Sequence, residues 1–291
     1  MVAGLRVPQT LAEIKGLLAE RGLAPKRSLG QNFLVDHNLI AKLVRAAGVT
    51  PGTLVLEVGP GTGTLTEALL DAGASVLACE LDDGLAVLLR ERFADREGFA
   101  LVHGDALRGK RALNTEVAER LGDRPFALVA NLPYGCATPL LSTLLLHRPA
   151  CGAMAVTVQK EVVDRLLASP GTRDFGPLSV IAQAACEAER IAHLPPACFW
   201  PRPGVDSAMV LLRRRPEPPC DLAVLSEACG ALFRQRRKRI AAPLRELLGD
   251  ADPPEGVAPG MRAEEIAVDA LAALARQLSA MRAASDAMRE P

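Results

Sequence analysis

A chain of 291 residues, 49% hydrophobic and 23% charged, is long enough to bury one substantial core and to add a smaller second domain. Its formal net charge of zero excludes a uniformly basic coat, so any nucleic-acid surface must be local. No segment is apolar for long enough to span a bilayer, and the start, Met1 to Arg6, lacks the basic-then-apolar pattern of a signal peptide.

Leu11, Ile14 and Leu18 stand at helical spacing and predict a helix over Leu11–Arg21, stopped by Gly22 and Pro25. After Lys26-Arg27-Ser28-Leu29-Gly30-Gln31-Asn32-Phe33-Leu34, a second apolar helical pattern runs from Asn38 to Ala47. From Leu54 short apolar runs alternate with longer helical patterns: Leu54–Val58, Ser75–Cys79, Ala100–His103, Phe126–Ala130, Ala153–Val158 and Ser207–Leu212 read as strands. This alternation predicts an α/β fold with a parallel, doubly wound sheet. Prolines 216, 218 and 219 mark a linker, beyond which Leu222–Phe233, Ala241–Leu248 and Ala263–Met281 predict a small all-α unit. The expected division is an N-terminal helical extension over 1–25, a sheet domain over 26–214 and a helical domain over 215–291. Seven cysteines, Cys79, Cys136, Cys151, Cys186, Cys198, Cys220 and Cys229, show no metal-ligand or redox spacing, which fits reduced thiols in a cytoplasm and no bound metal.

Chemistry concentrates at strand ends. The first strand runs into Glu57-Val58-Gly59-Pro60-Gly61-Thr62-Gly63-Thr64, where glycines let backbone approach a ligand and the next helix presents its N-terminus. No Gly-Lys-Ser/Thr ending follows, which argues against a nucleotide hydrolase. Glu80 ends the second strand, 21 residues past Gly59, where a carboxylate accepts from both ribose hydroxyls of a nucleoside. Asp105 falls just past the third, placed for an adenine amine. A dinucleotide would satisfy Glu80 as well.

The only tyrosine stands in Asn131-Leu132-Pro133-Tyr134, directly after the Phe126–Ala130 run. The Asn131 oxygen and a nearby backbone carbonyl can hold the two hydrogens of an exocyclic amine, Pro133 stiffens the backbone, and Tyr134 can stack on a base for roughly 1–3 kcal/mol. A strand ending in an ordinary turn, with Tyr134 as packing, explains the same four residues.

Taken together, Leu29-Gly-Gln-Asn-Phe-Leu34, Glu57-Val-Gly-Pro-Gly61, Glu80-Leu-Asp82, Gly104-Asp-Ala106, Asn131-Leu-Pro-Tyr134, Gln159-Lys-Glu-Val-Val163, Phe175-Gly-Pro-Leu-Ser179, Pro203-Gly-Val-Asp-Ser-Ala208, Gln235-Arg-Arg-Lys238 and Met261-Arg-Ala-Glu264 resemble the small-subunit ribosomal RNA adenine dimethyltransferases, over about Lys26 to Leu271. The resemblance implies a Rossmann-like methyltransferase fold, S-adenosyl-L-methionine as donor, and two adjacent adenosines near the 3' end of 16S RNA as targets. By motif match, Asn32, Leu34, Gly59, Gly61, Glu80, Asp105, Ala106 and Asn131 would hold the donor. Asn131, Leu132 and Tyr134 would serve the target adenine, with Phe199 for the base's other face or for packing. The implied partner is small-subunit RNA or the immature subunit, met by a monomer with no membrane or metal. Gly135-Cys136-Ala137-Thr138 departs from the polar run expected there, and the N-terminal helix is an extension that only some members carry.

Arg234, Arg236, Arg237, Lys238 and Arg239 place five cations in six residues of the C-terminal unit, and Lys26-Arg27 precede the donor segment. Such charges contact phosphates without reading sequence, although a charge run is more often a solvated face. Competing expectations are a large-subunit RNA methyltransferase of the macrolide-resistance type and an assembly factor with secondary catalysis. A nicotinamide-dependent reductase leaves Asn131–Tyr134 unexplained.

Overall fold

The computed structural model describes residues 9–109 and 112–287, so the first residues of the expected N-terminal extension and the last of the C-terminal domain lie outside the described part. The chain runs α1 (Leu11–Glu20), β1 (Phe33–Leu34), α2 (His37–Ala46), β2 (Leu54–Val58), α3 (Thr64–Asp71), β3 (Ser75–Glu80), α4 (Asp83–Arg92), β4 (Phe99–His103), α5 (Thr115–Leu121), β5 (Phe126–Asn131), α6 (Ala137–His147), β6 (Cys151–Gln159), α7 (Lys160–Leu166), α8 (Pro177–Ala185), β7 (Cys186–Leu194), β8 (Phe199–Trp200), β9 (Ser207–Arg214), α9 (Leu222–Leu232), α10 (Ala241–Leu248) and α11 (Val268–Ala287).

The apolar runs lack polar positions because both faces of their sheet are covered. On β5, Ala127 and Val129 join a cluster with Ile40 and Leu43 of α2 and Leu65 and Leu69 of α3, while the intervening Leu128 and Ala130 are buried on the opposite face. The seven strands lie in the order β4-β3-β2-β5-β6-β9-β7. Pairings from β4 to β6 are parallel, but β6 and β9 run antiparallel from Ala153 opposite Arg213 to Gln159 opposite Ser207. The expectation of a wholly parallel sheet is therefore corrected to a mixed one. Strand β7, not foreseen, reads Cys-Glu-Ala-Glu-Arg-Ile-Ala-His-Leu, whose charges hide its period from a hydropathy pattern.

The order carries the functional consequence. The chain winds outward through β2, β3 and β4, then returns to lay β5 on the other side of β2. That reversal opens a crevice at the carboxyl ends of β2 and β5, where an open α/β sheet binds its ligand.

The chain divides into two compact units: the described residues up to Val163 with Glu189–Arg213, and Asp164–Ala188 with the described residues from Arg214 onward. Residues 164–188 thus belong to the second unit, not to the sheet domain expected over 26–214. A division read from linkers cannot find a discontinuous unit. Within the second unit, α8 packs against α9 and α11. Seven of its nine residues, Leu178 to Ala182 with Ala184 and Ala185, are buried, so α8 needs helices around it. The last helix begins at Val268 rather than Ala263, because Ala263–Glu265 form a separate 3-10 turn capped by Glu265 on the Arg262 N–H at 2.7 Å.

One acid sits in the core. Glu57 on β2 is 1% exposed and accepts a hydrogen bond from Thr66 Oγ1 at 2.7 Å. Burial pushes its carboxyl up to about 8; the Thr66 bond opposes the shift and the Glu80 charge adds to it. A carboxyl whose folded pKa exceeds its unfolded value gives stability that is present below the unfolded pKa and lost as pH rises through the folded one. Glu57→Gln removes this titration. Between about pH 5 and 8 the unfolding free energy of the natural chain should fall relative to the variant by on the order of 2–4 kcal/mol, measured by urea melts at stepped pH.

Candidate active site

The turns that follow β2 and β5 pack against each other. Gly59 has φ +70°, and a Cβ there would lie 2.8 Å from Pro133 Cγ; Gly61 has φ +63°, and a Cβ there would meet Phe33 Cε1 at 2.7 Å. Both positions need glycine for left-handed backbone and for close approach by the protein's own side chains. Around this crossing lies a cavity of about 330 Å³, lined by residues from five segments: 28–34, 57–65, 79–85, 104–106 and 131–136. That volume is in the range of small-ligand sites.

Glu80 ends β3 at the cavity. Its Oε2 accepts from the Gly61 N–H at 3.1 Å and its Oε1 from the Asp82 N–H at 2.9 Å. Burial raises its pKa, while the two backbone donors work the other way. The carboxylate is thus aimed before any ligand arrives, with lone pairs left on both oxygens for a pair of hydroxyls. Asp105 uses Oδ1 on the Leu107 N–H at 2.9 Å, and its carbonyl takes the Asn114 amide at 2.9 Å. Among the described residues its Oδ2 accepts no hydrogen bond, and Asp105 borders the same cavity with Ala106.

Residues 26–34 close the cavity as a strap. Asp82 caps α4 through the Gly84 and Leu85 N–H groups and also receives Gln31 Nε2 at 3.2 Å and Lys26 Nζ at 2.7 Å. Burial opposes ionisation of Asp82, but Lys26, the Leu85 N–H and Gln31 together hold its pKa below the ordinary value. Lys26, expected to meet phosphate, is therefore engaged in an ion pair. Asp82 stood in a matched stretch without a role; an acid ahead of a helix is the signal that identifies its capping half. At the end of the strap, Phe33 and Leu34 pair with Trp200 and Phe199 in a two-stranded ribbon.

Asn131 ends β5 and donates Nδ2 to the Asn32 carbonyl at 2.8 Å. A carbonyl can only accept, so this contact orients the amide with its nitrogen on the strap and frees Oδ1 for a donor. The Leu132 N–H is held by the Thr157 carbonyl at 3.0 Å. The Pro133 carbonyl accepts both the N–H and the thiol of Cys136, at 3.1 and 3.3 Å. Of the two backbone carbonyls, only Leu132's is without a donor among the described residues. Tyr134 Oη lies 2.6 Å from Ser207 Oγ at the start of β9, a partner that the sequence reading missed although Ser207 stands in a matched stretch. Burial raises the phenol pKa and the Ser207 bond lowers it.

Phe199 does not join them. It is 2% exposed, pairs with Leu34 and packs in the core with Leu43 and Leu194, so its ring offers no face to a base. Of the two roles expected for Phe199, the structure supports packing. Leu34 is likewise a core residue, although it borders the cavity.

In the second unit the basic run forms a 3-10 turn and loop after α9. Arg234, Arg237, Lys238 and Arg239 are exposed. Arg236 is withdrawn: its Nε meets Glu264 at 2.6 Å and its Nη2 donates to the Thr172 and Arg173 carbonyls. The Ile240 N–H binds the Met261 carbonyl at 2.9 Å, and Arg239 bridges to Arg262. Two matched stretches thus form one structural knot, in which Arg236 is engaged by Glu264 while its four basic neighbours are exposed.

Comparison with known proteins agrees with this geometry. The family described as ribosomal RNA adenine dimethylase matches residues 22–279. Ribosomal RNA small subunit methyltransferase A of Rhodospirillum rubrum is 43% identical, covering 93% of each chain, and that of Streptomyces avermitilis is 42% identical, covering 92% of this chain and 93% of its own. Among solved structures, the 23S rRNA methyltransferase ErmE superposes with a TM-score of 0.64 at 28% identity over 85% of this chain and 100% of its own. A dimethyladenosine transferase from Plasmodium falciparum gives 0.67 at 21%, over 83% and 95%, which speaks for the fold. With relatives this similar along almost the whole length, the chain belongs to the ribosomal RNA adenine dimethylase family.

Proposed function

We propose that the protein dimethylates the N6 amines of two adjacent adenosines near the 3' end of 16S small-subunit RNA, with S-adenosyl-L-methionine as donor, in the cytoplasm during subunit maturation. The observation that carries this reading is the Asn131 amide, turned by the Asn32 carbonyl so that Oδ1 and the Leu132 carbonyl stand as two acceptors beside one cavity. The high identity to relatives named for the small subunit favours that substrate over the large-subunit alternative, for which ErmE at 28% identity is the nearest argument.

The residues fit the donor. Glu80 would take its ribose hydroxyls, Asp105 its adenine amine, and the Gly59–Gly61 turn with Asn32 and Ala106 would line its length. When bound, it supplies a methyl group on a positively charged sulfur, a leaving group that needs no metal. The protein's part is positioning. Two acceptors would hold the target amine's hydrogens and draw its lone pair out of conjugation; methyl transfer would then break the donor's carbon–sulfur bond as the nitrogen–carbon bond forms, releasing a neutral thioether, and the amine would give its proton to solvent. Tyr134 stacks on the base, with its ring held at the far end by Ser207. The target base must leave its stack before it can enter. Arg234, Arg237, Lys238 and Arg239 hold phosphates.

Incubation with labelled donor and unmethylated small subunits, followed by nucleoside analysis, should yield dimethyladenosine; its absence while donor binding is intact sinks the enzyme reading. Asn131→Ala should lower kcat by about 10²–10³-fold, as for loss of one preorganised polar contact at a reacting centre, with donor affinity changed far less. Tyr134→Phe should cost a few-fold and Tyr134→Ala on the order of tenfold or more in kcat/KM, a ranking that equal losses would contradict. Replacing Arg237 and Lys238 by Ala should weaken RNA binding at all sequences and flatten its salt dependence by about one to two units of slope, whereas Arg236→Ala should chiefly lower the melting temperature.

A further inference from the structure

The family match begins at residue 22, yet the segment before it reaches the donor loop. Gln9 is 6% exposed, and its Oε1 accepts from both threonines of the glycine-rich turn: Thr62 Oγ1 at 3.0 Å and Thr64 Oγ1 at 2.8 Å. Both threonines are buried and both border the cavity. The Gln9 carbonyl is in turn held by His37 Nε2 at 2.8 Å, which ties it to the start of α2.

Two further features make this a built contact. Immediately after Gln9, Thr10 and Glu13 form a reciprocal capping box that fixes where α1 starts. Then Ile14 and Leu18, 0% and 3% exposed, seat α1 on Leu85 and Leu88 of α4 and on Phe33 of the strap. The turn is held from its other side as well, because Arg92 Nη1 donates to the Thr62 carbonyl at 2.5 Å while Glu80 receives the Gly61 N–H. The loop is thus clamped between a buried carboxylate, Glu80, read as a donor ligand and a buried carboxamide, Gln9, that is not.

We infer that Gln9 is a positioning residue for donor binding: it fixes the Thr62–Thr64 turn so that Gly61 and Glu80 meet the donor already aligned. The inference rests on the methyltransferase reading of the cavity. A buried hydroxyl left without an acceptor would find one by moving the turn, and the alignment would then be restored out of binding energy. Because Gln9 touches neither Asn131 nor Tyr134, its loss should act on donor affinity and leave the acceptor end alone.

The test is calorimetry with S-adenosylmethionine, alongside steady-state methylation of small subunits, on the full chain. Gln9→Ala should raise the donor Kd and the donor KM about tenfold with kcat within twofold, and Gln9→Glu, which keeps an acceptor oxygen, should recover most of the affinity. In a chain carrying Thr62→Val and Thr64→Val, Gln9→Ala should have almost no further effect, as expected when the hydroxyls are what Gln9 serves. A Gln9→Ala chain that melts earlier but binds donor within twofold of the unaltered protein overturns the inference and leaves the methyltransferase reading intact. An additive loss in the triple variant also overturns it. Failure of the unaltered chain to bind donor overturns the underlying reading, and the inference with it.

Discussion

The contact between Gly59 and the Pro133 ring is the constraint on which the site depends. At the point where the strand order reverses, the turns leaving β2 and β5 must share one small volume, and a single added carbon at Gly59 would stand 2.8 Å from Pro133. One turn carries the glycine-rich loop and the other carries Asn131, so the same crossing sets the distance between them. A glycine at φ +70° and a proline with fixed φ leave that crossing few ways to relax. Well-packed interiors transmit such constraints because they have no slack to absorb them.

Around the crossing, Glu80, Asn131 and Asp105 each have partners that aim them and an acceptor left over. Glu80 receives two backbone N–H groups and keeps lone pairs on both oxygens; Asn131 gives its nitrogen to the strap and keeps its oxygen; Asp105 spends Oδ1 on its own turn and keeps Oδ2. This is preorganisation in a literal sense, since the groups need not be reoriented during reaction. Tyr134 follows the same logic at its hydroxyl. Read from the tetrapeptide alone the ring was the useful part, but the 2.6 Å contact to Ser207 shows that the hydroxyl is what anchors it.

Much of this was legible because strand periodicity and strand-end chemistry are local. Leu54–Val58 and Phe126–Ala130 were readable as strands from apolar runs, and Glu80, Asp105 and Asn131 from their place at strand ends; all three border the cavity. What escaped was set by tertiary contact. Phe199 beside a tryptophan and two prolines looks like a surface aromatic until its pairing with Leu34 buries it. Arg236 looks like its neighbours until Glu264, 28 residues on, claims it. The antiparallel return of β9 and the transfer of 164–188 to the second unit depend on which segment lies beside which, and composition does not encode that. Likewise the polar β7 has no apolar stripe to announce it.

The same inventory of acceptors bears on why a second methyl can follow the first. In the proposed mechanism an unmethylated amine offers two hydrogens to two acceptors, Asn131 Oδ1 and the Leu132 carbonyl. A monomethylated amine offers one, so one acceptor loses its donor, at a cost of about 1 kcal/mol for a hydrogen bond of ordinary strength. The added methyl carbon must also find room without moving Leu132, whose backbone is tied to Thr157 and whose side chain is buried. Grip on the base then shifts from the amine toward the ring of Tyr134, whose stacking does not depend on how many hydrogens the nitrogen carries. A tyrosine anchored at its hydroxyl serves that second step better than one free to turn.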